Sequence, residues 1–346
     1  MTADEERGAD ARTAVTVFVA LGANLVIALA KVIGGLFAGS PALLSEAAHS
    51  VADSLNELFL LASLKRSARK PDAEHPFGYG KERYFWSLLA AVGIFVMGGC
   101  FSFFQGIEAL RAGHAESRVG YTAGLIVLAV ALLAEGASLL RALAQVHGQA
   151  RTAGTGMLTA IRTGGDPALR TVLAEDATAC FGVLVAMAGM GLHLVTGAVQ
   201  WEAGASLVIG ALLMFVAYQL AAASRGALIG EAVEPALRQA MHAFLDRQPE
   251  IDAATSLLTM RLGPRSMLVA ARIDLFGGLD SEEVEEVLVR IKRAMREEWP
   301  TADQIFLDVT EASPRDRARA RRERRQLDEA VVAERQRHAE GRRRGG

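Results

Sequence analysis

The chain has 346 residues, of which 51% are hydrophobic and only 6% aromatic, with 34 glycines and a formal net charge of -2. That charge excludes a global electrostatic pull toward nucleic acid, and the small-residue content suits helices packed closely in a membrane. Cys100 and Cys180 both sit in apolar stretches, which excludes a disulfide framework and a cysteine-based zinc finger.

The first dozen residues are charged and are predicted to form an N-terminal tail, 1–12, with no cleavable leader, because the apolar run after them is too long for one. Six apolar runs follow, at roughly 14–37, 42–64, 86–110, 119–143, 168–196 and 202–223. A bilayer core needs about 20 apolar residues of helix. Each run therefore reads as a membrane span, within a domain over 13–225. A large soluble helical protein would instead need water-facing charged stripes on its helices. The loop between runs two and three carries Lys65, Arg66, Arg69, Lys70, Lys81 and Arg83, and that between four and five carries Arg151, Arg162 and Arg170. The intervening loops are short or nearly free of basic residues, with only Arg111 and Arg118 between runs three and four. Basic loops stay cytoplasmic, which predicts both termini inside, in agreement with an even number of spans.

The second run, "LLSEAAHSVADSLNELFLL" from Leu43 to Leu61, carries Glu46, His49, Asp53 and Glu57 in an otherwise greasy helix. At about 100° per residue these four fall within roughly 80° of one another, with Asn56 at the edge. A charge at mid-bilayer costs at least about 2.5–3.5 kcal/mol, so the stripe faces something other than lipid. Imidazole and carboxylate are ligands for a divalent metal such as zinc. His49 and Asp53, one turn apart, read either as a metal pair or as a helix-packing hydrogen-bond network. Two ligands do not complete a tetrahedral site. The fifth run offers "VLAEDATAC", with Glu175 and Asp176 adjacent. Asp53 and Asp176 each lie about eleven residues into their helices from opposite ends, which sets both near mid-membrane. Adjacent residues diverge by about 100°, so Glu175 and Asp176 are not expected both to face one ion. Asn24, Glu135 and Ser138 read as supporting polar groups.

Residues 232–312 read as helix, strand, strand, helix, strand. Pro235 opens a helix through Gln248. "SLLTMRLG" and "MLVAARIDLF" form a hairpin about "PRS". A helix capped by Asp280 or Ser281 follows, and "ADQIFLDVT" closes with a strand. This αββαβ order predicts a small α+β domain over 230–312 with helices on one face of a sheet. The tail 313–346, with twelve arginines among acids, reads as a solvated helix or a disordered segment; a weak affinity for anionic lipid is the alternative.

Six runs, "HSVAD" in the second, the acidic motif in the fifth, the loop "HPFGYGKERYFWSL" and the α+β domain resemble, in that order along about residues 12–312, the cation diffusion facilitators. The resemblance implies a six-helix transmembrane bundle with a cytoplasmic ferredoxin-like domain. It also implies a homodimer that exports a divalent metal in exchange for protons. The family's helix-2 ligand pair falls on His49 and Asp53, and the Asp of its helix-5 pattern on Asp176. The position four residues earlier is Val172, which cannot bind a metal. "LAEDATACFG" is similar to a branch, including a mitochondrial zinc exporter, in which an acidic pair replaces the usual motif, so Glu175 joins the expected metal set His49, Asp53, Asp176, with a water or a backbone carbonyl as the alternative in place of Val172. Asp72 and His75 match two positions of a second metal site known in some members, but Tyr79 stands where another His would be. A hydrogen-bonded latch is the other reading of that loop. His242 is the sole histidine of the α+β domain, which has no cysteine, so a dimerisation role is implied there and a multinuclear zinc site is not.

The expectation is a multi-pass protein of the bacterial inner membrane, without a prosthetic group, with Zn2+ as substrate and protons as coupling ion. Mn2+, Fe2+ or Co2+ are alternative substrates. Metal and proton compete for the same lone pairs, and His49, with an unperturbed pKa of about 6.5, is suited to the switch. A channel would need a longer polar pore; a non-transporting membrane metal sensor stays open because of Val172. An enzyme is not expected, since nothing pairs a nucleophile with a base and there is no phosphate loop.

Overall fold

The computed structural model describes residues 21–22, 24–112, 118–152 and 167–343. The expected tail 1–12 and the loop residue Arg162 lie outside them. The chain divides into two compact units: residues up to Lys65 with Tyr84–Arg225, and Arg66–Arg83 with the chain from Gly226 onward.

The first unit is helical. Its elements are α1 (Asn24–Ala38), α2 (Pro41–Ser67), α3, α4 (Arg118–Thr152), α5 (Pro167–Thr196) and α6 (Gln200–Ile229). Helix α3 starts as Glu82–Gly93, runs through a π-helical stretch Ile94–Cys100, and continues as Phe101–Ala112. Four stretches are long and apolar enough to cross a membrane: Glu82–Arg111, Gly120–Gly148, Leu173–Thr196 and Gln200–Ile229. Six were expected. Among the described residues α1 is a short apolar helix, and α2, though 27 residues long, carries Glu46, His49, Asp53 and Glu57 along its length. The turns α1–α2 and α5–α6 are tight because Gly39 (φ 65°) and Gly197 (φ 68°) take the left-handed conformation that side chains resist.

Leu43, Leu128, Val183, Met190, Ile209 and Leu213 are buried together inside this unit. Its exterior is also apolar, with Leu133, Leu140, Phe215 and Val195 exposed. Water would penalise such a surface; lipid does not. Glycines bring α3 and α6 together: a Cβ on Gly210 would stand 3.0 Å from the backbone N of Phe103, and one on Gly106 2.9 Å from the carbonyl O of Ala203.

The second unit contains α7 (Pro235–Asp246), β1 (Ile251–Gly263), β2 (Ser266–Leu275), α8 (Ser281–Glu298), β3 (Gln304–Val309) and α9 (Pro314–Arg343). The elements of 232–312 thus come in the expected order. The sheet is mixed, in the order β1-β2-β3, with β1 antiparallel and β3 parallel to β2. Parallel pairing requires a crossover, and α8 supplies it. Asp280 caps α8 in a capping box with Glu283. Met241, Leu245, Val269, Ile273, Ile291 and Met295 form the core.

Of the two readings of the tail, solvated helix or disordered segment, the chain forms a helix, α9, mostly exposed but with one docked face. Ala320, Leu327 and Val331 are buried. Arg317 pairs with Asp252 at 2.5 Å and Asp274 at 2.7 Å, Arg324 with Asp246 at 2.6 Å, and Asp328 accepts from Gln239 at 2.7 Å. The arginines that suggested a free tail include those that dock it.

Candidate functional site

Helices α1, α2, α4 and α5 enclose a cavity of about 450 Å³. Asp53 and Glu57 of α2, Glu135 of α4, and Glu175 and Asp176 of α5 line it. Among the described lining residues five carboxylates stand against one cationic group, Arg141, with Lys31 behind Glu135, an excess of acid that attracts cations. Of the four expected metal residues, Asp53, Glu175 and Asp176 come together on this cavity. Glu175 and Asp176 share it although adjacent helix positions diverge. His49 does not line it; it is buried behind Asp53, with Nε2 3.2 Å from Asp53 Oδ2. The side chain of Val172 lies outside those described.

Most of these groups already have protein partners. Asn56 donates to Glu175 Oε1 at 3.1 Å, Asn24 to Glu57 Oε1 at 2.7 Å, and Lys31 to Glu135 Oε1 at 2.9 Å. Glu57 Oε2, Glu135 Oε2 and Asp176 Oδ2 are buried without a hydrogen-bond partner. As arranged, no group of three His, Cys, Asp or Glu among the described residues is set to hold a metal. What the cavity offers is a set of buried, unpaired carboxylate oxygens, each costly to leave unsatisfied and each satisfiable by a cation.

Sequence reasoning missed two clusters. Lys31 of α1, 1% exposed, reaches Glu46 Oε2 at 3.2 Å and Glu135 Oε1 at 2.9 Å. The signal was a lone lysine inside an apolar run, which demands a buried counter-charge. The second cluster joins the ends of four helices. Glu202 of α6, fully buried, accepts from Ser40 just before α2 and from Tyr121 of α4, and lies 2.6 Å from Nδ1 of His193 in α5.

In the second unit, the loop 66–83 is internally bonded. Tyr79 donates to Asp72 Oδ2 at 2.6 Å, the backbone N–H groups of Glu74 and His75 donate to Asp72 Oδ1, and Arg69 stacks 4.4 Å from the Tyr79 ring centre. The Tyr79 hydroxyl, with the backbone donors, holds the Asp72 carboxyl below its usual range, and that same bond raises the Tyr79 phenol. Asp72 is thereby engaged as a latch.

A family model described as "Cation efflux transmembrane domain" matches residues 17–229, more than half of the chain. The mitochondrial proton-coupled zinc antiporter SLC30A9 of Xenopus laevis is 32% identical over 283 residues, covering 80% of this chain and 50% of that protein. The Homo sapiens SLC30A9 is 30% identical over 282 residues, covering 80% and 49%. Metal tolerance protein C4 of Arabidopsis thaliana is 34% identical over 260 residues, covering 75% and 55%. The chain thus spans about half the length of these relatives. With the matched model running from before α1 to the last residue of α6, the chain belongs to the cation efflux family, the cation diffusion facilitators.

Proposed function

We propose that this multi-pass membrane protein is a homodimeric secondary transporter that exports a divalent cation, Zn2+ first, in exchange for protons. The observation that carries the reading is the cavity among α1, α2, α4 and α5, with five carboxylates facing it and His49 behind Asp53. In this reading α1 and α2 complete six spans, and His49, Asp53, Asp176 and Glu175 take the ion. Protons displace it at the far side, because each ligand must be deprotonated to bind metal. The printed names of the SLC30A9 relatives, proton-coupled zinc antiporters, support substrate and coupling alike. No prosthetic group and no enzymatic step is required. The second unit serves dimerisation, and the basic loops support cytoplasmic termini in a bacterial inner membrane. The absence of an imidazole among the described cavity-lining residues favours Mn2+ or Fe2+ as a second reading, since oxygen ligands suit harder ions.

Purified protein in liposomes should accumulate Zn2+ when a pH gradient is imposed and stop when a protonophore collapses it. Asp53→Ala should abolish uptake at equal reconstituted protein. Uptake that persists in Asp53→Ala removes the site; uptake indifferent to the gradient removes the antiport.

A further inference from the structure

Glu46 is fully buried, yet its Oε1 has no hydrogen-bond partner. Its other oxygen is held by Lys31, which also grips Glu135. Nδ1 of His49, one turn along α2, lies 3.9 Å from Oε1, longer than a hydrogen bond, so the bond forms by a short movement of the two side chains. The opposite nitrogen of that ring faces Asp53, and Asp53 lines the cavity.

A neutral imidazole has one N–H to give and one lone pair to offer. Here both nitrogens face a carboxylate, so the tautomer depends on which acceptor has the greater need. Asp53 is 35% exposed, and water or a cation in the cavity can serve it. Glu46 Oε1 is sealed, and His49 Nδ1 is the donor group placed toward it. Helix α5 leaves this contact room: a Cβ on Gly182 would collide with Glu46 Oε1 and stand 3.7 Å from His49 Nδ1.

We propose that Glu46 is a positioning residue for the cation site: anchored by Lys31 and unobstructed at Gly182, it accepts the Nδ1–H of His49 and turns the Nε2 lone pair toward Asp53 and the cavity. The recipient of that lone pair is a divalent cation. A carboxylate behind a metal-binding histidine fixes both ring orientation and tautomer, and raises ligand basicity. The proposal deepens the reading of His49 as a ligand and rests on it.

The test uses full-length protein in lipid nanodiscs, with ¹⁵N-labelled histidine and the His49 signals identified by their loss in His49→Gln. Without metal, at mildly alkaline pH, His49 should be the Nδ1–H tautomer. Glu46→Ala should shift it to Nε2–H and weaken Zn2+ binding about 10–100-fold. Glu46→Gln keeps an acceptor oxygen and should retain the tautomer and recover most of the affinity. Gly182→Ala should reproduce the Glu46→Ala tautomer by displacing the carboxylate. An Nε2–H ring in the unsubstituted protein overturns the proposal whatever the variants do. So does an unchanged tautomer in Glu46→Ala or, where that variant does not fold, in Gly182→Ala. If His49→Gln binds Zn2+ normally, the ligand reading itself fails, separately from the tautomer result.

Discussion

Asp176 and Glu175 are neighbours with different engagements. Asp176 keeps Oδ2 buried without a hydrogen-bond partner, whereas Glu175 accepts from Asn56. The unpaired oxygen gains most from a cation. Asp176→Asn should therefore lower uptake on the order of 100-fold, and Glu175→Gln by about 10-fold or less, in liposomes at matched protein. Equal losses would make Glu175 a full ligand. His242, on α7, gives a prediction outside the membrane. Burial, and then the nearby Arg324 guanidinium, push its pKa below the ordinary 6.5. The unfolded chain thus takes up the proton first as pH falls. The stabilisation from a neutral His242 is complete above pH 6.5 and is lost as pH drops from there toward the folded value. Denaturant titrations of the second unit should show this slope, and His242→Gln should flatten it. The residues legible in the sequence were those with a periodic signature, the His49–Asp53 stripe above all. Lys31 and Glu202 were not, because each is a single charge whose partners come from distant helices.

At the scale of elements, the contact of α3 with α6 depends on missing side chains. A methyl on Gly210 meets the backbone N of Phe103 at 3.0 Å, which cannot yield as a side-chain tip can. On Gly204 of the same helix it meets nothing within 4 Å. Overpacking costs about 1–3 kcal/mol, while alanine gains about 1 kcal/mol over glycine in a helix. Gly210→Ala should lower the thermal midpoint in detergent, and Gly204→Ala should hold or raise it; the same sign for both would discount this contact. The αββαβ order was readable because alternation, turn residues and the Asp280 cap are local signals. The docking of α9 was not, since only Ala320, Leu327 and Val331 of a mostly charged sequence are apolar anchors and its ion pairs reach across to α7, β1 and β2. Likewise α2 reads as too polar to span alone, because the counter-charge to its Glu46 comes from another helix, as Lys31 of α1.

For the whole molecule, the proposed mechanism implies one substrate ion per chain. Titration calorimetry of the full chain should give one Zn2+ site, lost in Asp53→Ala, and none of submicromolar affinity in the fragment from Gly226 onward. Tight binding by that fragment would relocate metal recognition to the second unit. The cluster around Glu202 has a different bearing, on how this sequence can drift. Ser40, Tyr121 and His193 are spokes, and Glu202 is the hub they share. Replacing one spoke leaves the others attached, whereas replacing the hub takes a partner from all three at once, although Tyr121 and His193 remain 3.0 Å from each other. Tolerance to substitution is therefore unequal by topology: related chains can vary spoke by spoke, but a change at 202 has to arrive together with changes at its neighbours.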